Sequence, residues 1–338
     1  MLRIGIVGLG FMGKAHFGAY GGLPSLARVS AIADIDPAKR RGDWSAIGGN
    51  IAVGGRPVDL ASIQVHADYD ELIRSPDVDV VDVTLPTYLH KDCVLAALAA
   101  GKHVICEKPM AMNAADADAM VAAARRAGKK LFVGQCIRFW PAYALARGIV
   151  GDGRYGALRS ARFQRLSPLP RWSWDGWLLD NARGGRAALD LHIHDADFAL
   201  HAFGTPVGVS AFGLRAADGG YDHIVARYRY ADGRLIFAEG AWEYAPEYPF
   251  SMTFTLQFEQ GTLALAADGA LAYHPDAGGR EVLPTPEGTG YEHEIRHFLD
   301  CIAGDRESDV ITPESAAASV RLIEAEIRAA ATGGEVAL

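Results

Sequence analysis

The chain has 338 residues, of which 50% are hydrophobic and 22% charged. That length suggests two domains at roughly 100–200 residues each, and the composition can bury a core and is not that of a disordered segment. With 41 acidic against 33 basic residues the net charge is −8; this is not the basic surplus of a nucleic-acid binder, and no run approaches the ~20 apolar residues of a membrane-spanning helix.

The N-terminal stretch reaches its first glycines too soon to hold a signal-peptide core. Residues 3–8 read instead as a strand, 12–21 as a helix and 29–34 as a second strand. Residues 78–84 (Val-Asp-Val-Val-Asp-Val-Thr) form a third, and 91–100 a helix stopped by Gly101. Residues 102–106 are a strand; 113–127 are a helix opened by Asn113 and closed by Gly128. Residues 130–134 are another short strand. Such alternation predicts a doubly wound parallel sheet over residues 1–134, a Rossmann-type α/β domain. From 135 to 338 the texture changes to β-rich runs at 160–166, 221–230, 234–242, Ser251–Phe258 and 262–266. Turn signals at 231–233 and 259–261 predict antiparallel hairpins. One helix is expected over 187–203, and two more over 290–302 and 313–331. The expectation is an α+β domain with a large, mostly antiparallel sheet. Cys93, Cys106, Cys136 and Cys301 form no CxxC pair and read as free thiols in a reducing cytoplasm.

Gly8-Leu9-Gly10-Phe11-Met12-Gly13 fits G-x-G-x-x-G between a strand and a helix. In that context the first glycine makes the turn, the second admits a pyrophosphate and the third lets helix and strand pack. The helix N-terminus then favours the phosphates. Asp34 ends the second strand, 21 residues past Gly13, where an acid accepts ribose hydroxyls. Asp36 is its rival, and reads as a turn residue before Pro37. Asp34 would repel a 2′-phosphate and Ile35, not arginine, follows it, so NAD is expected over NADP. Lys39 and Arg40 would reach a 2′-phosphate only by folding back.

Two further motifs are Glu107-Lys108-Pro109, directly after a strand, and Gly184-Gly185-Arg186 running through Asp190, His192, His194, Asp195 and Asp197. With Pro86-Thr87-Tyr88-Leu89-His90 and the closing pattern from Tyr291 to Phe298, they make the chain resemble the Gfo/Idh/MocA oxidoreductases, which include inositol dehydrogenases and glucose–fructose oxidoreductase. The resemblance spans nearly the whole chain. It implies an NAD-dependent dehydrogenase acting on a sugar, inositol or related polyol, forming dimers or tetramers through its open-faced sheet. It maps the catalytic group onto Lys108, Asp190 and His194. Cofactor contacts are expected from Gly8, Gly10, Phe11, Met12, Gly13, Asp34, Thr84, Pro86, His90, Glu107 and Lys108.

Histidine suits the base that takes a hydroxyl proton. On one helix Asp190 and His194, four apart, share a face. Lys108 lies past a strand's C-terminal end, where parallel sheets hold ligands, and its ammonium can stabilise a developing alkoxide. Glu107 can accept from the nicotinamide-side ribose or form a salt bridge. Arg138 can contact cofactor or substrate, or brace the domains. His192 is either a substrate contact or a packed helix residue, and His16 reads as packing. The His and Asp cluster at 190–201 is not read as a metal site, because helical residues two apart diverge. Four of the six tryptophans, Trp140, Trp172, Trp174 and Trp177, fall close together. The loop holding the last three would either wall the substrate site, through Trp174 and Trp177, or form a subunit interface or a core loop folded down on the protein. Two other functions are a NAD-using glycoside hydrolase of this fold and a non-catalytic dinucleotide-binding regulator; an intact Lys108–Asp190–His194 set speaks against the second.

Overall fold

The structure, a computed structural model, describes residues 1–49 and 58–338. It divides the chain into two units that interleave in sequence. One comprises Met1–Cys136, Arg171–Trp177 and Gly290–Ala318; the other comprises Ile137–Pro170, Leu178–Thr289 and Ser319–Leu338. The first crossing falls two residues past the single cut expected at 134/135. The two later returns to the first unit, a tryptophan-bearing loop and a C-terminal helix, have no compositional mark of their own.

In chain order the first unit contains β1 (Leu2–Val7), α1 (Phe11–Gly21), β2 (Ala27–Ala33), α2 (Pro37–Arg40), β3 (Gln64–His66), α3 (Tyr69–Arg74), β4 (Val80–Val83), α4 (His90–Ala99), β5 (His103–Glu107), α5 (Ala114–Ala127) and β6 (Leu131–Gly134). The six strands pair in parallel in the order β3-β2-β1-β4-β5-β6. Every residue of β4 is buried, as expected of a central strand with both faces covered. The Asn113 side chain accepts from Asp116 N at 2.9 Å to open α5, and Gly128 closes it at φ 60°. Strand order reverses between β1 and β4, so ligand chemistry is expected at the C-terminal edge around that switch.

The second unit holds α6 (Pro141–Asp152), β7 (Leu158–Pro168), α7 (Arg186–Asp190), α8 (Ile193–Phe203), β8 (Gly208–Arg215), β9 (Tyr221–Arg229), β10 (Leu235–Tyr244), β11 (Ser251–Phe258), β12 (Gly261–Leu265), β13 (Leu271–Pro275) and β14 (Glu281–Val282). The chain then forms α9 (Gly290–Ala303) in the first unit, α10 (Pro313–Thr332), within which the unit boundary falls, and β15 (Val336–Ala337). Nine strands run in the order β14-β13-β12-β11-β7-β10-β9-β8-β15. Both expected hairpins form, β9–β10 and β11–β12; β7–β10 is the parallel exception in an otherwise antiparallel sheet. One face buries Phe163 and Phe254 against Tyr143 and Phe198, with ring centroids 4.9–6.0 Å apart. Arg162, Thr255 and Gln257 on the alternate positions are exposed, giving the sheet a polar open face. No described helix is long and apolar enough to cross a membrane.

The single helix expected over 187–203 is two helices. His192 N donates to Ala187 O at 2.8 Å, a five-residue turn wider than an α-helical one, and the axis restarts at Ile193. Asp190 ends α7 and His194 lies in the first turn of α8, so their four-residue spacing is not that of one regular helix.

Candidate active site

The glycine turn sits where the parallel sheet requires it. Gly8 has φ +90°, and a Cβ on Gly13 would stand 2.1 Å from Gly8 O, so neither position tolerates a side chain. A Cβ on Gly10 would meet nothing within 4 Å. That open side, at the start of α1, is the cradle a pyrophosphate needs, and it is how these residues fit a dinucleotide. Thr84 Oγ1 donates its single proton to Gly8 O at 2.5 Å, with Val7 O a longer 3.1 Å away, fastening the turn to the end of β4. Phe11 and Met12 form the first turn of α1, both half-buried.

Asp34 follows β2. Its carboxylate accepts from Leu9 N at 2.6 Å and Asp36 N at 2.8 Å, so it already ties the β2 end to the glycine turn. Asp36 N-caps α2 through Ala38 N at 2.8 Å, the turn role expected of it. Lys39 and Arg40 do fold back. Lys39 Nζ lies 3.4 Å from Asp34 Oδ2, and Arg40 donates to the Asp34 and Ile35 carbonyls at 2.8 and 2.9 Å.

His90 opens α4, fully buried, with its ring nitrogens 2.9 Å from Pro109 O and 2.7 Å from Leu85 O. Burial lowers its pKa. It clasps the Pro86 loop to the chain after Lys108, and its ring is committed to the main chain. Lys108 is half-buried directly after β5, on the same sheet edge as the glycine turn. Its backbone N–H donates to Glu107 Oε2 at 3.1 Å.

Glu107 points inward to a group that sequence reasoning missed. Its Oε1 stands 3.0 Å from His16 Nε2, while His16 Nδ1 is 2.9 Å from Asp82 Oδ2, which accepts from Tyr20 OH at 2.8 Å. Glu294 of α9 joins this cluster; one ligand-type atom each of His16, Glu107 and Glu294 lies within 4.8 Å of the others. Burial alone would lower the His16 pKa, but Asp82 and Glu107 outweigh it and the imidazolium is favoured. Burial pushes the Glu294 carboxyl well above its usual range. The signals were an acid in the centre of an apolar strand and another on the apolar stripe of α9.

The tryptophan loop belongs to the first unit. Trp172 packs its ring 5.8 Å from that of Phe11, beside the glycine turn. Trp172 is 39% and Trp174 50% exposed, while Trp177 is half-buried.

In the second unit every residue from 187 to 199 is buried except Asp190 and His194, which are half-buried. The other polar groups of this stretch are committed inward. Asp195 accepts from Arg165 at 2.9 and 3.0 Å. Asp197 accepts from Arg138 at 2.8 and 2.7 Å and from Ser319 Oγ at 2.6 Å. His192 lies 2.8 Å from Glu326 Oε2 and packs against Gly240, so it is the packed residue of the two readings. Arg138 is 4% exposed and braces α8 within its own unit. His201 has its pKa lowered to about 4 by burial and nearby arginines.

Comparison with known proteins agrees with this architecture. Residues 2–135 match the model of the oxidoreductase family with an NAD-binding Rossmann fold, and residues 143–264 match the Gfo/Idh/MocA C-terminal domain. The chain is 32% identical over 283 residues to the 1,5-anhydro-D-fructose reductase of Ensifer adhaerens, covering 78% of this chain and 81% of that protein. It is 30% identical over 266 residues to the bovine (Bos taurus) trans-1,2-dihydrobenzene-1,2-diol dehydrogenase, covering 73% and 76%. Its fold matches levoglucosan dehydrogenase in complex with NADH and levoglucosan at a TM-score of 0.84, with 23% identity over 99% of both chains. The chain belongs to the Gfo/Idh/MocA family of NAD-binding oxidoreductases.

Proposed function

We propose that the protein is an NAD-dependent dehydrogenase that oxidises a secondary hydroxyl of a sugar, anhydrosugar, inositol or related polyol. Bound NAD supplies the hydride acceptor. The chain must then supply a base for the hydroxyl proton and a cation for the oxygen as charge develops. His194 is the base, Asp190 orients it or binds a neighbouring hydroxyl, and Lys108 holds the reacting oxygen. Glu107 and Thr84 serve the cofactor by shaping the sheet edge; neither needs to touch it. Trp174 and Trp177 offer flat apolar faces to a sugar ring, and the enzyme works as a dimer or tetramer.

The observation that carries the reading is the exposure pattern of residues 187–199, which leaves Asp190 and His194 reachable while every neighbour is buried. The named activities of the anhydrofructose reductase and the diol dehydrogenase support the substrate class.

Kinetics of His194→Ala, Lys108→Ala and the double variant test it. Each single change should lower kcat roughly 10²–10⁴-fold with NADH still bound, and the pair should lose little more than either alone. The low-pH limb of the rate profile should vanish in His194→Ala. Wild-type kcat and an unchanged pH profile in that variant would remove His194 from the mechanism.

A further inference from the structure

The buried cluster behind Glu107 has no part in the chemistry assigned so far. It lies wholly in the first unit and draws on four elements: His16 and Tyr20 from α1, Asp82 from β4, Glu107 from β5 and Glu294 from α9. His16, Asp82 and Glu294 are 0% exposed, Tyr20 is 2% and Glu107 is 4%. So much ionisable material in a protein core is costly unless it is mutually compensated.

The contacts run in a line, with His16 Nε2 and Glu107 Oε1 meeting at ion-pair distance but outside hydrogen-bond geometry, and Asp82 Oδ1 and both Glu294 oxygens making no hydrogen bond among the described residues. Tyr20 OH donates to Asp82, and the same Asp82 oxygen stands 2.9 Å from His16 Nδ1. His16 Nε2 faces Glu107 Oε1 at 3.0 Å, an ion-pair distance. The second Glu107 oxygen accepts from the backbone N–H of Lys108. Room for this carboxylate depends on a neighbour without a side chain, since a Cβ at Gly134 would stand 2.9 Å from Glu107 Oε1. The line therefore begins in the core and ends on the main chain of the residue that presents the ammonium. His90 clasps Pro109 just beyond it.

We propose that His16 is a positioning residue for the dehydrogenase reaction: anchored on Asp82, it sets the Glu107 carboxylate, and Glu107 sets the main chain at Lys108. The proposal rests on the reading of Lys108 as the ligand of the reacting oxygen. Misplacing a reacting group by about 1 Å can cost a hundredfold in rate, so a core ion pair one residue away is well placed to control it. Asp82 and Glu107 favour the His16 imidazolium, and burial favours the protonated Glu294 carboxyl beside it. Cys106, also buried here, is pushed up by burial and stays a neutral thiol.

Two substitutions separate the halves of this line. A glutamine amide reaches about where Nε2 of histidine lies, and an asparagine amide about where Nδ1 lies. His16→Gln keeps a donor towards Glu107; His16→Asn keeps one towards Asp82. His16→Asn should lose roughly ten- to hundredfold in kcat with KM and NADH affinity nearly unchanged, and His16→Gln should recover most of that loss. A second readout needs no substrate: the rate at which a water-soluble acylating ester modifies Lys108, followed by peptide mass spectrometry. It should change severalfold in His16→Asn and stay near wild type in His16→Gln. Equal kcat and equal Lys108 reactivity in both variants, with only melting temperature lowered, would overturn the proposal. A stoichiometric divalent ion found in the purified wild-type protein by mass spectrometry would also overturn it, making His16, Glu107 and Glu294 metal ligands. A wild-type enzyme inactive on every sugar, combined with the expected Lys108 labelling pattern, would sink the proposed reaction and leave the positioning intact.

Discussion

Replacing Asp34 by asparagine should convert the enzyme from an NAD to an NADP user. The Asp34 side chain is 7% exposed and its two oxygens already accept from Leu9 N and Asp36 N. A 2′-phosphate brought to about 4 Å of it would meet a repulsion of about 4 kcal/mol at an effective dielectric of 20, or about 1 kcal/mol in bulk water. The larger figure corresponds to roughly a thousandfold preference for NAD. Lys39 and Arg40, however, fold back on the same turn, one 3.4 Å from the carboxylate and the other on the adjoining carbonyls. Their two positive charges offset much of the repulsion, so the wild-type preference should be nearer tenfold, about 1.4 kcal/mol. Asp34→Asn retains an acceptor for Leu9 N and removes the nearest negative charge, leaving the Asp36 carboxylate on the cap of α2. Lys39 and Arg40 then outnumber it, and the NAD/NADP ratio should fall by about a hundredfold and invert. Lys39→Ala should move it the other way, towards NAD, by severalfold. Fluorescence titration with NADH and NADPH reads the affinities without a substrate, and kcat/KM for both cofactors reads the rest. An unchanged ratio in Asp34→Asn would refute the placement of the adenosine ribose at Asp34.

Arg138→Ala should strand Asp197 in the core with only Ser319 as partner. The cost should be ~3–5 kcal/mol, or roughly 6–20 °C of melting temperature for a unit of this size; a variant as stable as wild type would contradict the bracing role. Glu294→Gln should flatten the fall of stability with rising pH. The folded-state pKa of Glu294 lies above its unfolded value near 4.5, so its protonated form stabilises fully below that pH, and the contribution is lost as pH rises through the folded pKa. Thermal melts from pH 5 to 9 would show a steeper decline in wild type; parallel curves would mean Glu294 ionises freely. Trp174→Ala should raise KM for the true substrate while leaving NADH affinity nearly unchanged, whereas loss of oligomerisation alone would mark the loop as an interface.

The features legible in sequence were those whose chemistry is local. A glycine turn declares itself because Gly8 and Gly13 have no substitute at their backbone positions, and the Glu107-Lys108-Pro109 motif is contiguous. Asn113 and Gly128 bounded α5 because a cap needs only its own turn. What could not be read depends on packing between distant segments. Residues 187–203 have helical composition throughout; the break at His192 accompanies its packing on Gly240 and Glu326, far away in sequence. The place of Trp172 beside Phe11 has no sequence signature either. Arg138, placed after the last parallel strand, reads equally as a ligand contact or a brace, because its partner Asp197 is 59 residues away. His16 was passed over for the same reason: it makes sense only beside Asp82, Glu107 and Glu294.

The most direct test of the account is NADH formation by the purified protein across inositols, aldoses, sugar acids, anhydrosugars and vicinal diols, followed at 340 nm. The account predicts stoichiometric NADH with at least one cyclic sugar or polyol, formed roughly 10²–10⁴-fold more slowly in Lys108→Ala. Cleavage of a chromogenic glycoside without net NADH, or binding of NADH with no turnover of any member of the panel, would contradict it.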